Sequence, residues 1–162
     1  MAFDTWMKIQ GIDGDGTAKG FEKQIEIYSF SWGGSNPSTI SAAGTGIAAG
    51  KVTISSFNIM KKLDSASPLL FEHCCTGKHI DKITVTMRKA GGEQQIFHKL
   101  EFETCMVDSV QYSGSSGGDD TPTESNSFSF AKVSFGYAKQ KPDGKMEGMV
   151  TKIWDLTKVA NT

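Results

Sequence analysis

Apolar and polar residues alternate along most of the chain, and many of the apolar positions carry β-branched or aromatic side chains. Both features predict strands rather than helices. The predicted strands cover residues 3–9, 22–32, 51–60, 83–88, 95–112 and 127–139, with a last run ending near residue 155. Glycine-containing turns separate several of them. A total of about seven or eight strands suits a β-barrel, or two packed antiparallel sheets.

The end of the second predicted strand has two different faces. Tyr28, Phe30 and Trp32 lie on one side, whereas Ser29 and Ser31 lie on the other, because successive side chains of a strand alternate. We expect the aromatic side to belong to the core. The serine side is then expected to face solvent.

One segment has the start and stop signals of a helix. Ser67 fits an N-cap, Pro68 fits the first helical position, and Gly77 fits the left-handed residue that ends a helix. The fold class predicted from the sequence is therefore mainly β, with one short α-helix lying against an open end of the barrel.

Residues 33–50 contain mainly Gly, Ser, Ala and Thr, with one Pro and no charged residue. This segment is too long and too featureless for a hairpin turn, so we expect an extended loop. Loops of this length in a compact domain usually have a partner.

The overall composition excludes several classes of protein. A chain of 162 residues predicts a single domain, residues 1–162. A net charge of -1, without a basic run, disfavours nucleic acid as a partner. The first residues lack the basic and apolar regions of a signal peptide, and no apolar run approaches a membrane span. We therefore expect synthesis in the cytoplasm, no membrane insertion, and export only by a route that needs no cleaved signal peptide.

Three motifs suggest chemistry and fail on their context. Residues 114–118 match Gly-x-Ser-x-Gly around Ser116, but no helix follows, as a nucleophile elbow requires. Residues 44–51 imitate a phosphate-binding loop, but they depart from it at three positions. Residues 13–16 resemble the start of a calcium loop, but the glycine and glutamate required later are absent.

A cluster of potential zinc ligands has the wrong spacing. The candidates are His73, Cys74, Cys75, His79, His98 and Cys105. Adjacent helical residues point about 100° apart, and no pair has the spacing of a zinc motif. The odd cysteine count is also a poor disulfide framework, so we expect reduced thiols. We predict no catalytic, cofactor or metal site, and hence no enzyme.

Several short segments, in their order and spacing, resemble the haemolysin co-regulated protein (Hcp) family, the tube subunit of the type VI secretion system. The resemblance extends over nearly the whole chain. The matching segments are residues 30–33, 67–69, 77–80, 88–93 and 117–119, and the aromatic-rich strand around Phe135.

The resemblance implies a β-barrel subunit that forms a homohexameric ring. Rings of this family stack into a hollow tube, which a contractile sheath propels and a spike protein caps. The tube protein is itself secreted, and its lumen can carry or stabilise effector proteins. The absence of a signal peptide is consistent with this route.

Within that framework two sets of residues become candidates for function. Ser29 and Ser31 are candidate lumen and cargo contacts; the alternative is that they lie on the outer surface. The candidate ring-stacking loop contains Gly33, Gly34, Gly44, Gly46 and Gly50. This loop either lies on a neighbouring subunit or ring, or is disordered in the isolated ring and orders on stacking.

Two other functions remain open from the sequence. One is a monomeric β-barrel that encloses a small apolar ligand. The other is a phage-type tail-tube subunit, which forms similar rings but delivers a genome. Oligomeric state separates the first from a secretion tube.

Overall fold

A computed structural model describes residues 3–40, 47–90, 94–118 and 120–161. These residues form antiparallel strands and one helix, α1 (Ser67–Thr76). The strands are β1 (Phe3–Ile9), β2 (Ile25–Glu26), β3 (Ser29–Ser31), β4 (Gly34–Ser35), β5 (Ser38–Ile40), β6 (Ile47–Ala49), β7 (Thr53–Ile54), β8 (Phe57–Lys62), β9 (Ile80–Lys89), β10 (Ile96–Ser113), β11 (Thr123–Tyr137) and β12 (Val150–Asp155).

Eight strands form one hydrogen-bonded sheet in the order β2-β1-β9-β10-β11-β8-β3, and β12 pairs with the second half of β11. The first and last strands of this order, β2 and β3, belong to one short chain segment. In it the Ile27 N–H donates to Thr5 O of β1 at 3.1 Å, and the Tyr28 N–H donates to Met60 O of β8 at 2.9 Å. Because one segment bonds both ends of the sheet, the sheet wraps into a barrel. The predicted barrel is thus confirmed, and its two walls are halves of one sheet.

The predicted strand over residues 22–32 is interrupted where it changes partner. Ile25 and Ile27 point into the core, and the next core contacts come from Phe30 and Trp32, so the alternation shifts by one residue. Tyr28 lies at this shift and is 60% exposed. The prediction that Tyr28 joins Phe30 and Trp32 on the core face is therefore wrong.

Aromatic rings fill the barrel interior. Phe57 and Phe102 lie 4.7 Å apart between ring centroids, and Phe102 and Phe130 lie 4.6 Å apart. Trp32 packs on the same group, 5.9 Å from Phe102. Burying each such side chain contributes about 1.5–3 kcal/mol, and well-oriented ring pairs add about 0.5–1.5 kcal/mol. This cluster is the main source of cohesion between the two walls.

The predicted helix is present, with one correction at its start. Its N-cap is Ala66, which makes no side-chain capping bond, and Ser67 is the first helical residue. The Ser67 hydroxyl is used elsewhere, since it accepts from the Asp64 N–H at 3.1 Å. Gly77 ends the helix in the left-handed conformation, with φ of 69°, as predicted. Leu70 points from the helix into the core.

Residues 33–50 are more regular than the expected loop. Gly34–Ser35 pairs with Thr53–Ile54, and Ser38–Ile40 pairs with Ile47–Ala49, so the described part of this segment forms two antiparallel ladders. We call residues 33–50 the arm. The sequence did not predict the strands of this segment, because small residues have a low strand propensity. The backbone hydrogen bonds of the ladder, which composition does not reveal, hold the arm together.

The other predicted strands need smaller changes. The third one divides into β7 and β8, and the penultimate one begins four residues earlier, at Thr123. The long hairpin of β9 and β10 is present as predicted, with Leu100 opposite Val85 and Phe102 opposite Ile83.

A buried charged cluster joins the helix to the sheet. Lys61 of β8 and Glu124 of β11 lie opposite each other, both fully buried, with Nζ and Oε2 2.7 Å apart. Lys61 Nζ also lies 2.7 Å from Asp64 Oδ1. At the first turn of the helix, the Ser67 hydroxyl donates to Glu124 Oε2 at 2.6 Å. The opposite charges thus compensate each other through short contacts, as burial requires, although Glu124 Oε1 makes no hydrogen bond to the described residues.

Removing the cation alone leaves buried carboxylates without their partner. We expect Lys61→Met to lower the free energy of unfolding by about 3–5 kcal/mol in urea titrations. The matched control is Lys82→Met, because Lys82 is 42% exposed and pairs with Glu101 at 3.3 Å. Its effect should stay below about 1 kcal/mol. Equal losses in the two variants would contradict the structural role assigned to Lys61.

Candidate functional site

The residues considered for metal or acid–base chemistry do not converge. Within the described residues, no group of three or more His, Cys, Asp or Glu side chains could hold a metal ion. The His73 ring nitrogen Nδ1 donates to Leu69 O at 2.8 Å, and the same atom of His98 donates to Gly136 O at 2.6 Å. These histidines are engaged with backbone carbonyls on different elements.

Ser116 lies in a turn between β10 and β11, and the chain then enters a strand. A nucleophile elbow needs a helix at that point, so the Gly-x-Ser-x-Gly match has no catalytic geometry. Residues 44–51, which partly match a phosphate-binding loop, continue through β6 towards β7, and no helix follows among the described residues of this segment.

Ser29 and Ser31 are exposed on β3, as predicted, and they belong to a larger surface. Four strands, β10, β11, β8 and β3, lie side by side and form one wall of the barrel. Their solvent-facing residues line up in two rows across the strands. The first row is Ser31, Asn58, Ser127 and Ser109, and the second is Ser29, Met60, Ser125 and Gln111. We call these eight residues the neutral wall.

Part of the neutral wall is internally hydrogen-bonded. The Asn58 side-chain amide donates to Ser31 O at 3.5 Å and to Ser56 O at 3.2 Å, and its oxygen accepts from the Ser127 hydroxyl. The Asn58 side chain therefore has little hydrogen-bonding capacity left for other groups. Five other side chains of the wall make no hydrogen bond to another described residue: Ser29, Ser31, Ser109, Gln111 and Ser125.

The neutral wall differs in charge from the rest of the barrel surface. None of its residues is charged, although 22% of the whole chain is. The wall formed by β1, β9 and the first half of β10 instead carries ion pairs, including Lys99 with Glu101 at 3.1 Å. Burial raises the pKa of Glu101, but hydrogen bonds from Lys99 and Lys82 outweigh it and hold the pKa below its ordinary value.

The arm begins beside the neutral wall. The Gly33 N–H donates to the Ser55 hydroxyl at 2.9 Å, and Gly34 pairs with Ile54. The Gly50 N–H donates to Pro37 O at 2.7 Å, and a Cβ on Gly50 would lie 2.7 Å from that oxygen, so only glycine fits. Gly44 and Gly46, also assigned to this loop, lie outside the described residues.

Comparison with known proteins gives consistent results. A family model described as "Type VI secretion system effector, Hcp" matches residues 6–137. Protein hcp1 of Pseudomonas aeruginosa is 35% identical over 158 residues, covering 96% of each chain. The chain belongs to the Hcp family. The resemblance inferred from short segments is thereby confirmed.

Several solved structures have the same fold. A protein described as a type six secretion system protein superposes with a TM-score of 0.95 at 30% identity, covering 99% of this chain and 100% of that one. Hcp1 from Salmonella typhimurium gives a TM-score of 0.81 at 30% identity, with both chains fully covered. A type VI secretion system effector from Yersinia pestis gives 0.73 at 26% identity, over 94% of this chain and 99% of its own.

The sequence alone identified Ser29 and Ser31 of the neutral wall in this Hcp-family chain, but not the other six residues of the wall. Asn58, Met60, Ser109, Gln111, Ser125 and Ser127 complete it. The available signal was the alternation of uncharged polar residues on two further strands, at Ser109 and Gln111 of β10 and at Ser125 and Ser127 of β11. Their register could not be derived, because a β-bulge between Val107 and Ser109 shifts the pairing of β10 with β11.

No helix among the described residues of this Hcp-family chain is long and apolar enough to cross a membrane.

The three cysteines are free and differ in exposure: Cys75 is exposed, Cys74 is intermediate and Cys105 is buried. Burial, assisted by the Glu103 carboxylate, raises the pKa of Cys105 to about 12. We therefore expect a thiol-specific aromatic disulfide reagent at pH 8 to modify Cys75 fast and Cys105 only after denaturation, because the thiolate is the reacting form.

A Cys75→Ser variant is the control for the assignment, since it should lose the fast phase alone. Rapid modification of Cys105 in the native protein would contradict the closed core seen at β9 and β10.

Proposed function

We propose that this Hcp-family chain is a structural subunit of a type VI secretion inner tube. Six copies close a ring, rings stack into a hollow tube, and the neutral wall lines the lumen. The supporting observation is the neutral wall itself: two adjacent rows of uncharged residues across four strands, with an edge on each side that pairs with no other described strand.

The two edges of the wall are suited to ring closure. Strand β9 pairs with β10 only as far as Cys105, so residues 106–113 pair with β11 on one side alone. At the other edge β3 pairs only with β8. Exposed edges of this kind invite pairing with another chain.

The directions of these edges also agree with cyclic symmetry. Every step from β10 through β11 and β8 to β3 is antiparallel, so β10 and β3 run in opposite directions. Rotation about a tube axis preserves strand direction along that axis. The β3 edge of one copy therefore meets the β10 edge of the next copy in antiparallel orientation, and the contact repeats until the ring closes.

In this arrangement Ser29 and Ser31 face the lumen, where effector proteins are carried. The spike protein and the contractile sheath are the remaining partners, and the protein leaves the cell without a cleaved signal peptide. The role is structural rather than enzymatic. The support is that Ser116 lies in a turn, whereas the candidate zinc ligands His73 and His98 donate to backbone carbonyls on different elements.

The monomeric ligand-binding alternative has less support. The rings of Phe57, Phe102 and Phe130 occupy the space between the walls where a ligand of such a barrel would sit. A phage-type tail-tube subunit shares the ring geometry, and the family match favours the secretion tube over it.

The first test is the native mass of the purified protein, measured by light scattering after size exclusion in reducing buffer. We expect a particle near six times the 17.5 kDa mass of the chain. A monomer at every salt concentration would overturn the ring and favour the ligand-binding barrel.

We further propose that the arm, residues 33–50, makes the contact between stacked rings. The segment has no charged residue, and its strands β5 and β6 pair with each other and with no other described strand. Its glycines give the chain the close approach that a backbone contact needs. Gly33, Gly34 and Gly50 shape its base, and Gly44 and Gly46 are assigned to it from the sequence.

The base of the arm allows a clean excision. Pro37 and Gly50 are already joined by a hydrogen bond of 2.7 Å, so residues 38–49 can be replaced by a two-residue Asn-Gly turn. We expect this variant to keep the native mass of the ring and to lose long tubes in electron micrographs. The control is a deletion of residues 115–118 in the other glycine-rich loop, which should leave stacking unchanged. Normal tubes from the excised variant would contradict the role of the arm.

A further inference from the structure

The neutral wall contains one apolar side chain. Met60 lies at the centre of the second row, between Ser29 on β3 and Ser125 on β11, and it is 47% exposed. A shallow depression of about 390 Å³ surrounds it and extends to Gln111. An exposed methionine flanked by small hydroxyl side chains has room on both sides for an incoming group.

We propose that Met60 anchors the cargo, and that the neutral wall selects uncharged protein segments that present an apolar side chain to it. This inference rests on the proposed lumen position of the wall and specifies what that surface recognises. The methionine thioether is flexible and polarisable, and such side chains adapt to different apolar partners. Buried apolar contacts contribute most of the energy in small interfaces.

The serines and the glutamine around Met60 supply the polar rim. Ser29, Ser125 and Gln111 make no hydrogen bond to other described residues, so they are available to amide and hydroxyl groups of the cargo. Hydroxyl and amide side chains both donate and accept, and they therefore tolerate many neutral sequences. A charged cargo group between the two rows would lose hydration, and no charged residue lies within the rows to compensate for it.

The nearest charges do not change this conclusion. The Asp108 carboxylate accepts from the Ser56 hydroxyl at 3.0 Å and from the Ser129 hydroxyl at 2.9 Å. Lys62 lies over the Tyr28 ring, 5.8 Å from its centroid. Asp108 precedes Ser109 of the first row, and Lys62 lies two residues from Met60 on β8, so these opposite charges flank the neutral wall at its two ends. Binding of an uncharged segment at Met60 should consequently be nearly independent of salt.

The contact at Met60 of one subunit contributes little binding energy, but six copies of the neutral wall around one lumen bind the cargo together. Linked sites raise the apparent affinity through a high local concentration, without any new contact. Weak individual contacts also let cargo leave the tube. Six methionines on a charge-free surface thus retain cargo reversibly.

The probe is a set of four immobilised peptides of equal length, built from Ser, Asn and Gly, with Leu, Ser, Glu or Lys at the centre. Binding of the full-length protein is measured by surface plasmon resonance. We expect the Leu peptide to bind at least about fivefold more tightly than the others. Its affinity should change less than about twofold between 50 and 500 mM NaCl, because no ion pair is formed.

Two variants make the test specific. Met60→Ser should weaken binding of the Leu peptide about fivefold or more. The control is Met149→Ser, which changes a methionine of 37% exposure outside the wall and should have no effect. Gln111→Lys should shift the preference to the Glu peptide and make binding sensitive to salt.

The outcomes distinguish recognition of the peptides by Met60 from formation of the ring. A hexamer that binds none of the peptides, binds all four equally, or keeps its preference in Met60→Ser overturns the inference and leaves the ring intact. A monomer that prefers the Leu peptide through Met60 supports the recognition and overturns the ring.

Discussion

The barrel depends on the exchange of partners within the segment from Ile25 to Ser31. Its first half bonds to β1 and its second half bonds to β8, so the two ends of the sheet are held by adjacent residues. The exchange shifts the side-chain alternation by one position. Without that shift, either Ile25 and Ile27 or Phe30 and Trp32 would face solvent. One local irregularity therefore allows both walls to share a single core.

The same kind of irregularity appears twice on β10. Thr104 of β10 has φ of 54°, and Phe102 and Cys105 on either side of it both point inward. A bulge at Asp108 makes a second shift. Irregularities of this kind bend a strand and increase its twist, and they let an 18-residue strand serve both walls. The buried contact between Lys61 and Glu124 then secures the helix at the end of the barrel.

The sequence predicted the features that depend on local chemistry. The first strand, the helix with its Gly77 end, and the hairpin of β9 and β10 follow from alternation and turn residues. It could not predict where a strand changes partner, because both partners are distant in the chain. The exposure of Tyr28 and the pairing within the arm depend on such non-local bonds. Ser29 and Ser31 were identifiable from the alternation within one strand. Their neighbours Met60 and Ser125 were not, because these residues meet the serines only through pairing between distant strands.

The two walls of the barrel differ in surface charge, and this difference suits them to different contacts. Lys82 of β9 and Lys99 of β10 both pair with Glu101, and solvent-exposed ion pairs of this kind contribute little stabilisation. The neutral wall has neither charge nor a continuous apolar patch, so it neither concentrates ions nor holds an unfolded segment strongly. A channel through which proteins must pass requires such a surface: contacts strong enough to retain cargo in sum, and weak enough individually to release it. In the proposed tube, Met60 gives that surface one adaptable apolar contact in each subunit, and the pairing of β8 with β3 and β11 holds it in place.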